Sequence, residues 1–88
     1  MSLRGGRTDE MRQLASQFDN HAGQIGQLIQ DLNAQTTGSM DIWKGPAADR
    51  FRSDWESYKP TLDKLVQSLH EASQAINQNA ENIDMATQ

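Results

Sequence analysis

Between Thr8 and the C-terminus the chain carries two long stretches in which apolar residues recur every three or four positions. In the first, Met11, Leu14, Phe18, Ile25, Leu28 and Leu32 form a seam, with His21 holding one seam position and Ala15, Ala22 and Ile29 running beside it. In the second the same rhythm runs through Ala48, Phe51, Trp55, Tyr58, Leu62, Leu65, Leu69, Ala72, Ile76, Asn79, Ile83 and Ala86. A half-buried strand would alternate every two residues, so both stretches predict amphipathic helices, with faces wide enough for a bundle. One cluster of breakers, Thr36-Thr37-Gly38-Ser39 through Gly45-Pro46, separates them, and the chain therefore folds back once. The pattern predicts a single all-α domain: a helix over 8–37, a turn over 38–45 and a helix over 46–86.

The helix ends carry chemical signals. Thr8 is suited to cap the first helix, with Asp9 and Glu10 against its N-terminal dipole, and Gly38 to end it in the left-handed conformation. Gly45 serves as cap and Pro46 as first residue of the second helix. Pro60 removes a hydrogen bond inside that helix at a cost of about 3 kcal/mol, so a kink is expected there. Met1 to Leu3 join nothing downstream and receive no structural role.

An antiparallel arrangement about the turn sets Leu32 near Phe51 or Trp55, Leu28 near Trp55 or Tyr58, Phe18 near Val66 and Leu14 near Leu69. The large residues lie near the turn and Ala72, Asn79 and Ala86 at the far end, which is expected to fray. Two helices cannot cover both edges of such wide seams, and a second hairpin completing a four-helix bundle is the economical solution. Length points the same way. A lone core is marginal in 88 residues, and without cysteine no disulfide or thiolate metal site can supplement it.

The formal charge of −4 argues against a phosphate-tracking surface, hence against nucleic acid as partner. No apolar run is long enough for a membrane span, and the N-terminal sequence lacks the apolar core of a signal peptide, so general export routes would leave the protein in the cytoplasm. His21 and His70 are expected far apart, which disfavours a shared metal site, though His21 could make an interface pH-sensitive. The acidic residues Asp49, Asp54, Glu56, Asp63, Glu71, Glu81 and Asp84 read as solvated faces, because a hairpin rod offers no cleft to shift their pKa values. No phosphate loop, nucleophile elbow or His-Glu metalloprotease motif occurs, so no enzyme and no cofactor is expected. Gly23 and Gly26 read as tolerated flexibility on an outer face or as points of close backbone approach, and Asn79 as a register-fixing or solvated seam residue. Trp43 has two readings: a plug packed on Phe51 and Leu32, or a recognition anchor exposed in the turn.

Trp43-Lys44-Gly45, placed near the middle of a short chain between two amphipathic helices and followed by Phe51 and Trp55, resembles the WXG, or ESAT-like, family of bacterial type VII secretion substrates. The resemblance covers nearly the whole chain. It implies a helical hairpin that dimerises with itself or a related hairpin, is exported folded through a type VII system and is recognised by that system's ATPase, with Trp43 and Gly45 at the recognition turn. Secretion without a signal peptide would follow. A cytoplasmic dimer escorting a larger substrate, and a coiled-coil module unrelated to secretion, are the competing readings. In the family a Tyr-x-x-x-Asp/Glu element follows the second helix; here the only tyrosine, Tyr58, lies mid-helix with Leu62 four residues on.

Overall fold

The structure, a computed structural model, describes residues 3–87, with side chains from residue 7 onward. Helix α1 (Leu3–Gly38) runs into a short 3-10 turn (Ser39–Asp41), and helix α2 (Pro46–Ala86) returns antiparallel to it. The two helices pack only on each other, giving a rod of 64 × 18 × 14 Å.

Several end signals act differently from expectation. Thr8 does not cap α1: the helix begins at Leu3, and Thr8 sits inside it, 1% exposed, as the first buried position facing α2. Leu3, given no structural role from sequence, is the first residue of that helix. Gly38 stays right-handed (φ −68°, ψ −18°), so the chain tightens into the 3-10 turn instead of leaving the helix there. The positive φ falls at Gly45 (118°), where a side chain would be strained; Pro46 follows in the first helical position, and the Gly45 carbonyl accepts the Asp49 amide at 3.0 Å. Helix α2 continues unbroken through Pro60, which lies on the exposed side.

The seam inside the hairpin is made of small residues at seven-residue intervals. On α1 these are Thr8, Ala15, Ala22, Ile29 and Thr36, all buried. On α2, Ala48 and Trp55 are buried in one row, continued by half-buried Leu62, Leu69 and Ile76; Ser73 and Ala80 are buried in a second row, after half-buried Arg52, Lys59 and Val66. Small side chains let the helix axes approach, since interaxial distance follows the side chains at the contact. Of the dimer or hairpin seam read from sequence, the hairpin itself covers only a part. Leu14, Leu28, Leu32, Phe51, Tyr58 and Leu65 are exposed to solvent, while Met11, Phe18 and Ile25 are half-buried between the hairpin contact and the surface. Leu14 and Leu28 each stand one position before a buried residue, about 100° around the helix, and so point away from α2. Asn79 is likewise exposed, and its neighbour Ala80 takes the buried place.

The register also differs from expectation at the far end. Trp55 Nε1 donates to Asn33 Oδ1 at 2.9 Å, close to the pairing anticipated near the turn. Val66, however, lies against Gly26 rather than Phe18, and His70 against Asp19 at 2.9 Å, where Leu14 had been expected beside Leu69. The shift arises because α1 and the 3-10 turn extend past Gly38 to Asp41, moving the level at which the chain reverses. A side chain at Gly26 would meet Val66 at ordinary van der Waals distance, whereas Gly23 faces open space. The end anticipated to fray is linked by Arg12–Asp84 (2.7 Å), and Thr87 Oγ1 closes α2 on the Ile83 carbonyl at 2.8 Å.

Candidate functional site

The bend is built around one carbonyl. Ser39 O accepts the amides of Ile42 (3.0 Å) and Trp43 (2.8 Å), which curls the five residues from Ser39 to Trp43 into a compact loop. The Ser39 hydroxyl donates back to Thr36 O at 2.6 Å, fastening the loop to the last turn of α1. Across it lies Arg52, from the second turn of α2, with its side chain only 18% exposed. Its Nε donates to Ser39 Oγ (3.2 Å), and its Nη2 donates both to Ser39 O (3.0 Å) and to Trp43 O. A guanidinium here also complements the partial negative charge at the C-terminal end of the α1–3-10 segment. Asp49, at 3.5 Å from Nη1, steadies it from the same helix.

Fixed this way, the loop holds its apolar side chains outward. Trp43 is 44% exposed and meets the ring of Phe51, centroid to centroid 6.0 Å at a 40° tilt. Met40 and Ile42 beside it are more exposed still. The indole rests on a neighbour that is itself at the surface, so it does not close the hairpin core; that is the work of Trp55. Gly45 then supplies the left-handed step that brings the chain from the loop into α2.

A second surface runs along the rod. Leu14, Leu28 and Leu32 from α1, with Phe51, Tyr58 and Leu65 from α2, form exposed apolar rows. Leu14, His21 and Leu28 share one seven-residue row, and His21 is exposed in it rather than covered by α2. Of the residues assigned to the seam from sequence, Ala48 and Trp55 are buried in the hairpin, Met11, Phe18, Ile25, Leu62, Leu69, Ala72 and Ile76 are half-buried, and the others are on the surface. The two histidines lie at closer levels of the rod than the register read from sequence implied, since His70 faces Asp19, two positions before His21. His70 pairs with Asp19, whose carboxyl is held below the ordinary carboxylate range by the imidazole hydrogen bond first and the Ser73 hydroxyl second. Among the described residues no cluster of three or more His, Asp or Glu is arranged to hold a metal, and no helix is long and apolar enough to cross a membrane.

Arg52 is the residue that reading the sequence missed. It stands one turn into α2, and seven-residue steps from it lead through Lys59 and Val66 to buried Ser73 and Ala80. A cation in a row that is otherwise turned inward signals a local partner, which here is the loop backbone.

These features define a class of protein: an antiparallel helical hairpin, bent at a Trp-x-Gly loop that displays its tryptophan. Residues 7–87 match the family described as proteins of 100 residues with WXG (WXG100), and the chain belongs to that family. Among curated relatives, the type VII secretion system extracellular protein A of Staphylococcus aureus is 27% identical over 75 residues, covering 85% of this chain and 77% of the relative. Protein YukE of Bacillus subtilis (strain 168) is 22% identical over 80 residues, covering 91% of this chain and 82% of its own. The fold matches that of Geobacillus thermodenitrificans EsxA with a TM-score of 0.84 at 21% identity, over 91% of this chain and 89% of EsxA.

Proposed function

We propose that this protein is a substrate of a type VII secretion system, exported to the extracellular space after folding and pairing in the cytoplasm, and that it acts through protein–protein contact. Its partner in the pair is a second copy or a related WXG hairpin, held along the exposed apolar rows as a four-helix bundle. The observation that carries the reading is the placement of the large hydrophobic residues. Alanines with Trp55 and Ile29 close the hairpin, while Leu14, Leu28, Leu32, Phe51, Tyr58 and Leu65 are left outside, an arrangement suited to a chain completed by a partner. Relatives named for type VII secretion supply the route. In this reading Trp43 and Gly45 form the turn met by the secretion ATPase.

The test pairs two measurements on Trp43→Ala in the native host. Because the indole lies outside the buried seam, thermal unfolding and dimerisation should stay close to wild type, while the supernatant fraction falls sharply, as expected for an exposed anchor whose removal costs about 2 kcal/mol or more at the recognising surface. Wild-type secretion of the folded variant would refute the recognition role. A loss of stability that matches the export defect would make Trp43 a structural residue.

A further inference from the structure

We infer that Arg52 is the positioning residue of the recognition turn: its guanidinium ties the loop carbonyls so that Trp43 is presented in one fixed orientation. The inference rests on the reading of Trp43 as the exported protein's contact and adds the element that prepares it.

The loop has few restraints of its own. Ser39 to Trp43 is held by two amides converging on one carbonyl, and the tip side chains Met40, Ile42 and Trp43 are exposed, so little packing opposes its motion. Loops with few buried contacts open at low free energy. Arg52 contributes what packing does not. Nη2 spans the carbonyls at the two ends of the loop, Ser39 O and Trp43 O, and Nε reaches the Ser39 hydroxyl, so one planar group fixes the loop at three acceptors. The hydroxyl passes the restraint on to Thr36 O in α1. Charge-assisted hydrogen bonds are stronger than neutral ones, and the rigid fork loses little rotamer freedom per bond. The Trp43 carbonyl belongs to the residue whose indole is displayed, so holding the one limits the other. A side chain ordered before it meets a partner spares the entropy of ordering it on binding.

Arg52 therefore acts through Trp43 and not by touching the partner. Its own side chain is mostly covered, while its neighbour Arg50 is exposed and makes none of these contacts, which provides a control of equal charge. The experiment compares Arg52→Gln with Arg50→Gln in the full chain. Amide exchange of Ile42 and Trp43 should accelerate about tenfold or more in Arg52→Gln, and the Trp43 indole N–H signal should gain fast motion, while the Trp55 indole and the helix amides stay as in wild type. Arg50→Gln should change none of these. In secretion, Arg52→Gln should lower export, and Arg52→Gln combined with Trp43→Ala should export no less than Trp43→Ala alone, because a residue acting only through the indole has nothing left to act on.

Unchanged loop exchange in Arg52→Gln would overturn the positioning role. So would a double variant markedly worse than Trp43→Ala, since that would mean Arg52 meets the partner itself. If Trp43→Ala lowers export but the loosened Arg52→Gln does not, this inference fails and the recognition reading stands. If Trp43→Ala exports normally, the recognition reading fails, and with it the role of the clamp in presenting the residue.

Discussion

Trp55 is the side chain on which the hairpin's own stability most depends, and its replacement separates packing from hydrogen bonding. The indole is 8% exposed in a seam whose other buried positions are alanine, serine, threonine and one isoleucine, and its Nε1 donates to Asn33 Oδ1 at 2.9 Å. Trp55→Ala removes the largest buried group and leaves a void that two rigid helices cannot fully close; such truncations cost about 3 to 5 kcal/mol. The half-buried Asn33 amide also loses its partner, adding about 1 kcal/mol. Trp55→Phe retains most of the apolar ring but not the N–H, and should cost about 1 to 2 kcal/mol. With the 5 to 15 kcal/mol typical of a whole domain, roughly, the alanine variant is expected to be largely unfolded or folded only at high concentration. Urea unfolding followed by circular dichroism, at one fixed protein concentration so that pairing does not alter the reference, measures both losses. A cost below about 1 kcal/mol for Trp55→Ala would refute the placement of this residue in the seam, and a Phe variant as damaged as the Ala variant would show that the Asn33 bond, not ring packing, carries the stability.

Three further outcomes follow from the same geometry. Leu28→Glu with Tyr58→Glu, both on exposed rows, should abolish pairing in sedimentation at micromolar concentration while helix content falls only modestly; an unaltered dimer would place the interface elsewhere. Trp43→Ala, as set out above, should separate stability from export. For Asp19, the folded-state pKa is lowered by His70 and then Ser73, so its contribution is fully present above the unfolded value near 3.9 (roughly) and is lost as pH falls through the folded value. Wild type should therefore exceed Asp19→Asn in urea midpoint at about pH 5, and the margin should shrink as pH falls below about 4 and through the folded value; a gap unchanged between those two conditions would exclude this carboxylate as its source.

The helical hairpin was legible because a three-four rhythm interrupted once by glycine and proline admits little else. Which face turns inward was legible in part. The inward row of α2, Ala48, Trp55, Leu62, Leu69 and Ile76, lies within the seam read from sequence, whereas on α1 ranking by hydrophobic size selects Leu14 and Leu28 and close helix approach selects Ala15, Ala22 and Ile29 beside them. Polar Thr8 and Thr36 complete that seven-residue row, and their chemistry hid them from a search for apolar positions. Thr8 misled because its chemistry suits a helix start while its buried position lies inside α1, and Gly38 ends α1 but in the right-handed conformation that leads into the 3-10 turn. The Trp-x-Gly turn was recognised from three residues and its context, yet the group that holds it, Arg52, lies nine positions beyond Trp43 and becomes visible only when the loop carbonyls are in place.

The alanine seam has a consequence for how much of the protein a cell can keep. Burying a methyl removes little apolar area from water, at about 25 cal/mol per Å², so under the proposed pairing a lone hairpin would hold the smaller reserve against unfolding and gain the larger hydrophobic share on meeting its partner. Turnover should accordingly follow partner supply: an orphan copy spends more time open to proteases than a paired one, and its half-life should lengthen as the pairing chain is co-expressed. A half-life indifferent to that dose would show the single rod to be self-sufficient. Otherwise stoichiometry is policed by degradation, and no dedicated regulator is needed to remove the excess.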